Sequence, residues 1–89
     1  MPTTKDDIRI WLNRAKEKGV DFLIVACDTY DWSDYPAYVT KEKFADKYKE
    51  LDGENMQKIM EVYDLSLDWE MQLNERRAFH YPANFVPQS

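Results

Sequence analysis

The sequence contains few of the residues that build common catalytic and phosphate-binding sites. Its 89 residues include two glycines, one cysteine and one histidine. Two glycines leave little room for a glycine-rich loop that cradles phosphate, and a single cysteine excludes a disulfide within the chain. Clustered histidines and an evident pair of nucleophile and base are also missing. We therefore expect a protein that is not an enzyme and that needs no cofactor.

Basic residues are scarce relative to acidic ones. Seventeen Asp and Glu residues stand against twelve Lys and Arg, which gives a net charge of −5. This charge disfavours binding to nucleic acid and attracts a positively charged partner. The sequence has no long apolar span and no basic, apolar leader, so we expect a cytosolic protein without a membrane partner. Its length predicts one domain, residues 1–81, followed by an extended tail, residues 82–89.

The first predicted element is an amphipathic helix, Lys5–Lys18. Its apolar residues recur at i, i+3, i+4 and i+7. These residues are Ile8, Trp11, Leu12 and Ala15. Thr4 and Asp7 have the spacing of a capping box at the start of the helix, and Gly19 can adopt the left-handed conformation that ends it.

A β-hairpin is expected directly after this helix. Phe22–Cys27 is an unbroken apolar run that is too short for a typical helix and rich in β-branched residues, which favours a buried strand. The second arm is expected at Ala37–Val39. Residues that favour turns lie between the arms, so the hairpin should have a wide tip. They are Asp31, Ser33, Asp34 and Pro36.

The hairpin needs a partner, because two strands alone are marginally stable in water. Ala78–Tyr81 could return as a third strand that stops at Pro82. Alternatively, the free edge could pair with a second copy of the chain. We expect the internal strand.

The residues after the hairpin have a helical pattern. A short helix, Lys41–Leu51, is expected with Thr40 as its N-cap. Farther along, two apolar stripes overlap, which predicts either one long helix or two helices separated at Ser66. We expect two, Glu54–Asp64 and Leu67–Arg77. The predicted fold is therefore an α+β domain with an N-terminal helix, an antiparallel hairpin and two or three further helices.

The overlapping stripes also bear on assembly. Residues 56–73 carry more apolar surface than an 89-residue monomer can readily cover. We therefore expect a homo-oligomer, and more specifically a homodimer.

The hairpin tip is the best candidate site, because aromatic rings and acids alternate there. The predicted partner-binding residues are Tyr30, Asp31, Trp32, Asp34 and Tyr35. Trp32 has few ways to be buried within its own chain, and an exposed Trp marks an interface. Trp and Tyr are enriched in binding hot spots. The tip therefore predicts binding to a protein with a basic surface.

Two blocks of sequence carry a resemblance to known proteins. They are CDTYDWSDYPAYV, beginning at Cys27, and MEVYDLSLDWEMQLNERRAFHY, beginning at Met60. With these blocks at this spacing, the chain resembles, over Thr4 to Tyr81, a group of small hypothetical proteins of tailed phages and prophages. The group has no agreed biochemical activity, so the resemblance implies context alone. It implies a phage-encoded protein in the host cytoplasm that engages a host protein as a counter-defence or host-takeover inhibitor.

The first alternative is a ligand site near the end of the chain. Its residues are Arg76, Arg77, His80 and Tyr81. Two guanidinium groups can hold a phosphate while an aromatic ring stacks on a base, which suits a sponge for a small nucleotide-like signal. The simpler interpretation is that the arginines end a helix at its negative pole and pair with Glu70 or Glu75.

The second alternative is a small metal-dependent enzyme. Asp28, Asp31 and Asp34 recur at every third position, and their oxygens could converge on calcium or magnesium. The simpler interpretation is that these carboxylates cap turns. Cys27 and His80 could pair as thiolate and base, although a cysteine within an apolar strand usually behaves as a small hydrophobic residue. We predict no metal ligand and no catalytic residue.

Overall fold

A computed structural model of the chain describes residues 3–52, 56–83 and 85. It confirms the predicted α+β fold. The helices and strands are α1 (Lys5–Lys18), β1 (Phe22–Asp28), β2 (Ser33–Val39), α2 (Phe44–Leu51), β3 (Gln57–Asp64) and α3 (Trp69–Leu73). Among the described residues, no helix has both the length and the apolar composition needed to cross a bilayer.

Helix α1 begins and ends as predicted. The Thr4 hydroxyl accepts a hydrogen bond from the Asp7 backbone N–H at 3.2 Å, and the Asp7 carboxylate accepts one from the Thr4 N–H at 3.1 Å. These two bonds form the capping box. Gly19 has a φ of 73°, which glycine adopts without a steric penalty. The chain therefore leaves the helix and enters β1 within a few residues.

Strand β1 is the central strand of an antiparallel sheet with the order β2–β1–β3. Its six apolar residues are all buried. Alternate side chains of a strand point to opposite faces, so β1 contributes to two apolar clusters. Leu23 and Val25 pack with residues of α1, whereas Ile24 and Ala26 pack with residues of α2. Covering both faces explains the unbroken apolar run of the sequence.

The helix predicted at Glu54–Asp64 is wrong, because this segment contains β3. Its first two residues lie outside the described part of the chain. The register between β1 and β3 shifts at Met60. The shift places Ile59 and Val62 in one cluster, and Met60 and Tyr63 in the other. A bulged strand therefore has the i, i+3 spacing that we interpreted as helical.

Strand β3 also takes the place predicted for Ala78–Tyr81, so that prediction named the wrong segment. The Val62 N–H donates to the Ala78 carbonyl at 2.8 Å, and the His80 N–H donates to the Val62 carbonyl at 3.0 Å. The result is a single parallel bridge between Val62 and Phe79. Part of the outer edge of β3 is thus covered by the same chain.

The predicted helix Lys41–Leu51 is divided. Lys41–Lys43 forms a 3-10 turn, and α2 follows it. Thr40 occupies the predicted N-cap position, but its side chain makes no capping hydrogen bond. The first N–H group of this turn is bound elsewhere, since Lys41 N donates to the Asp21 carboxylate at 2.8 Å.

The predicted helix Leu67–Arg77 is shortened to α3. A break before it is confirmed, but Asp68 is the N-cap and accepts from the Met71 N–H at 3.2 Å. Ser66, the predicted N-cap, lies two residues before that position, and its hydroxyl donates to the Asp64 carboxylate at 2.7 Å. The chain after Leu73 is not helical, so Arg76 and Arg77 do not end a helix.

Much of the apolar surface that predicted a dimer is covered within the chain. Val62, Tyr63 and Leu73 are buried. The large apolar side chains of residues 56–73 that remain exposed are Met56, Leu67 and Met71. The dimer stays a prediction. The reason given for it, a helix with an uncovered apolar surface, no longer applies.

The predicted tail, residues 82–89, lies partly outside the described residues. Phe85 is described, and its ring centroid lies 4.9 Å from that of Phe44 and 5.0 Å from that of Tyr48. This residue therefore packs against the cluster beside α2.

Candidate binding site at the hairpin tip

The turn between β1 and β2 is tight, whereas the sequence predicted a wide tip. Strand β2 begins at Ser33, so only residues 29–32 connect the two strands. Asp34, Tyr35 and Pro36 belong to β2. Pro36 is tolerated there because β2 lies at the edge of the described sheet, where a backbone N–H group need not pair.

Aspartate side chains brace this turn. Asp28 Oδ1 accepts from the Tyr30 N–H at 2.8 Å. Asp31 Oδ1 accepts from the Ser33 N–H at 3.1 Å and from the Ser33 hydroxyl at 2.7 Å. The bonds from Ser33 favour the charged carboxylate and hold the pKa of Asp31 below its ordinary value. The turn is thus fixed by its own side chains.

Two residues at this end of the sheet have left-handed backbone conformations. The φ angles are 58° for Trp32 and 62° for Met56. Each costs about 1 kcal/mol for a residue with a Cβ atom. The Thr29 N–H donates to the Met56 carbonyl at 2.7 Å, so the turn and the start of β3 are joined. Backbone strain of this kind clusters at binding and catalytic sites.

Three large apolar side chains are exposed on these joined segments. The exposed fractions are 79% for Tyr30, 64% for Trp32 and 56% for Met56. The expectation that Trp32 is not buried within its own chain is confirmed. Exposed apolar residues grouped in this way are typical of contact surfaces. We call Tyr30, Asp31, Trp32 and Met56 the tip surface.

The other two predicted tip residues are less accessible. Asp34 is half-buried, and its Oδ2 accepts from the Thr3 hydroxyl at 2.6 Å. Tyr35 is also half-buried, and its hydroxyl donates to Gln57 Oε1. These two residues fasten β2 to neighbouring segments. Asp34 still contributes negative charge beside the tip surface.

Sequence reasoning missed Met56 and Lys58. The Lys58 ammonium nitrogen lies 5.4 Å from the centroid of the Trp32 ring. Both residues reach the tip because β3 pairs with β1, which aligns Lys58 with Cys27. No local signal could have placed them there, since the spacing of this segment favoured a helix.

The three aspartates do not converge on a common point for a metal. Asp28 and Asp31 are turned toward groups of the turn, and Asp34 is turned toward Thr3. In residues 3–52, 56–83 and 85, no three His, Cys, Asp or Glu side chains are grouped so that they could hold a metal ion. The metal-dependent alternative therefore gains no support from these carboxylates.

Cys27 and His80 have separate surroundings. Cys27 is 2% exposed. Burial, followed by the nearby charge of Asp34, raises the pKa of the Cys27 thiol. His80 Nε2 lies 2.7 Å from Glu75 Oε1. A buried, protonated thiol is a poor nucleophile, so the structure does not favour catalysis at Cys27.

The sheet separates the residues of the predicted ligand site. Arg76 and Arg77 line a cavity of about 200 Å³ together with Asp34 and with Ile8 of the α1 cluster. Tyr81 instead packs beside α2, with its ring centroid 5.7 Å from that of Tyr48. The two guanidinium groups and the Tyr81 ring are therefore not brought to one site.

The predicted partners of the two arginines are also bound elsewhere. Glu70 receives two hydrogen bonds from Arg9, and Glu75 contacts His80. Arg76 and Arg77 make no ion pair with a carboxylate of the described residues.

Another cavity, of about 790 Å³, lies at the end of the sheet opposite the hairpin tip. Its lining mixes the cations Lys16 and Lys41 with the acids Asp21 and Asp64. Both acids already accept hydrogen bonds from backbone N–H groups, Asp21 from that of Lys41 and Asp64 from that of Ser66. This mixture favours no single class of ligand.

Comparisons with protein-family models, curated proteins and solved structures found no match to this chain.

Proposed function

We propose that the protein binds a partner protein with a basic surface through the tip surface. The observation that carries this proposal is that Tyr30, Trp32 and Met56 are all exposed on two segments joined by a backbone hydrogen bond. Trp32 and Met56 also have left-handed backbone conformations. A rigid surface loses little conformational freedom when it binds, which favours affinity. A large aromatic side chain is the usual energetic centre of such a contact. Trp32 is the proposed anchor.

The charge near the anchor supports a basic partner. Asp28 and Asp31 contribute two carboxylates in the turn, and Lys58 contributes one ammonium group. Asp34 adds a carboxylate that shares its cavity with Arg76 and Arg77. A local excess of negative charge accelerates encounter with a positive surface and aligns the two molecules. In the context that the resemblance to phage proteins implies, the partner is a host protein in the cytoplasm. Binding would then inhibit a host function or counter a host defence.

A sponge for a small nucleotide-like signal is the second candidate function. It is supported by Arg76 and Arg77, which line one cavity and make no ion pair within the described part of the chain. The separation of Tyr81 from these arginines weakens this candidate, because no stacking ring would accompany the phosphate contacts.

A pull-down from host lysate with purified variants distinguishes the two functions. Trp32→Ala should lose the captured protein, with a cost of about 2 kcal/mol in binding free energy. Ile10→Ala is the matched control, because Ile10 is 50% exposed but lies on α1. Circular dichroism should show that both variants fold. If Trp32→Ala retains the protein while Arg76→Ala with Arg77→Ala loses activity during infection, the sponge replaces the proposed function.

A further inference from the structure

A positive charge of the chain itself already occupies the tip surface. Lys58 Nζ lies 5.4 Å from the centroid of the Trp32 ring. An ammonium group over an indole face is attracted by the negative face of the ring, and Trp is the aromatic residue that attracts cations most strongly. Lys58 makes no ion pair with a carboxylate among the residues that the structure describes. The Trp32 ring is therefore the group that this ammonium contacts within the described part of the chain.

Carboxylates nevertheless lie at the same end of the sheet as this cation. Cys27 is paired with Asp34 on one side and with Lys58 on the other, and Asp28 follows Cys27 along β1. Asp31 adds a further carboxylate in the same turn. Asp34 shares a cavity with Arg76 and Arg77, so the excess of negative charge at the exposed turn comes from Asp28 and Asp31, two carboxylates against the one ammonium group of Lys58. This excess attracts a second cation from outside the chain.

We propose that the tip surface recognises a guanidinium group, the side chain of an arginine on the partner, which replaces the Lys58 ammonium on the Trp32 ring. The inference rests on the proposed function and specifies which group of the basic partner is bound. Arginine fits better than lysine, because its planar guanidinium stacks on aromatic rings and is more weakly hydrated. Lys58 is exposed. A lysine ammonium is carried on a stem of four rotatable carbons, so it can leave the ring and acts as an internal competitor.

Two matched peptides test the recognition of charge. The probes are acetyl-Gly-Arg-Gly-amide and acetyl-Gly-citrulline-Gly-amide, in which citrulline has nearly the shape of arginine without its charge. The indole N–H resonances of the protein report where each peptide binds. The arginine peptide should shift the resonance of Trp32 and leave that of Trp69, whose N–H donates to the Leu65 carbonyl. Equal shifts with both peptides, or no shift of Trp32, overturn the inference.

Variants at Lys58 test the competition. Lys58→Met should bind the arginine peptide about two- to fivefold more tightly, because the cation that must be displaced is gone. Lys49→Met is the matched control, since it removes one exposed positive charge from α2. Lys58→Arg should bind no more tightly than the wild type. If Lys58→Met gains no more than Lys49→Met, or if Lys58→Arg gains affinity, the competition does not exist.

The peptide experiment and the pull-down test the two proposals separately. If Trp32→Ala loses the captured host protein but the arginine peptide leaves the Trp32 resonance unchanged, the tip binds a partner through other groups. The proposed function then stands, and guanidinium recognition is wrong. If Trp32→Ala retains the captured protein, the proposed function is wrong whatever the peptides show.

Discussion

The backbone N–H of Thr29 donates a hydrogen bond of 2.7 Å to the carbonyl oxygen of Met56. This bond joins the turn after β1 to the residue that precedes β3. Trp32 and Met56, the two residues other than glycine that have a positive φ in the described part of the chain, therefore belong to the same end of the sheet. Glycine would adopt such a conformation without a steric penalty. The chain has large apolar residues there instead, and both side chains are exposed.

The left-handed conformation of Met56 can be tested by substitution with glycine. Met56→Gly should leave the free energy of unfolding at least as high as in the wild type, because relief of about 1 kcal/mol of strain offsets the added flexibility. Met71→Gly, at a similarly exposed position in α3, should lower it by about 1 kcal/mol. Urea denaturation measures both values. Equal destabilisation by the two substitutions would contradict the conformation of Met56.

Features encoded by neighbouring residues were predictable from the sequence. The capping box of Thr4 and Asp7 and the left-handed Gly19 fixed both ends of α1. The apolar composition of Phe22–Cys27 alone predicted a buried strand. These signals need no knowledge of distant contacts, because each depends on residues within one or two turns of the chain.

Features created by pairing between distant segments were not predictable. Strand β3 was missed because the bulge at Met60 gave it helical spacing. The same error hid Lys58, which reaches Trp32 only after β3 has paired with β1. Trp32 itself was identified, since a large aromatic residue among turn-forming residues has few buried alternatives. The sequence thus predicted the site residues that belong to the turn. It could not predict those that reach the turn through strand pairing.

Gln72 provides a test of how α3 is held against β3. Its side chain is fully buried, and its Oε1 accepts from the Asp64 N–H at 2.8 Å. Its Nε2 donates to the carbonyls of Asp64 at 2.9 Å and Asp68 at 3.2 Å. Gln72→Met keeps the volume but leaves these backbone groups without that partner, so the free energy of unfolding should fall by about 2 kcal/mol or more.

The control for Gln72 is an exposed polar residue on the same segment. Asn74→Ala removes a solvent-exposed bond from Lys5 and should change the free energy of unfolding by less than about 0.5 kcal/mol. Denaturant unfolding compares the variants. A Gln72→Met protein as stable as Asn74→Ala would show that the buried amide bonds contribute little.

The ion pair between Arg9 and Glu70 joins α1 to α3 and should respond to pH. Arg9 Nε and Nη2 donate to the two carboxylate oxygens of Glu70 at 2.9 and 2.7 Å. These hydrogen bonds lower the pKa of Glu70 in the folded protein. A carboxyl group with a lowered pKa stabilises the fold above its ordinary pKa, about 4.3, and loses that contribution as pH falls through the folded value.

A double-mutant cycle measures this pair directly. Arg9→Met and Glu70→Gln should show a favourable coupling at about pH 7 that decreases at acidic pH, as the carboxyl group takes up a proton. Added salt should weaken the coupling at neutral pH, because both groups are exposed. A coupling of the same size at neutral and acidic pH would show that packing, and not charge, links the two side chains.

The acids of the tip should govern how fast a basic partner associates. Asp31→Asn with Asp34→Asn keeps an oxygen that can accept from Ser33 and from Thr3, so the turn should persist while two negative charges are lost. Association should slow and become less sensitive to salt, whereas dissociation should change little, because long-range attraction acts on encounter.

Glu42→Gln with Asp46→Asn is the control, since it removes the same charge from exposed positions around the start of α2. Association of the partner captured in the pull-down, measured at several salt concentrations, decides the outcome. If both double variants slow association equally, the net charge of the protein, and not the acids of the tip, governs the association rate. If the variant with Asp31→Asn and Asp34→Asn dissociates faster, the two acids contact the partner in the bound complex.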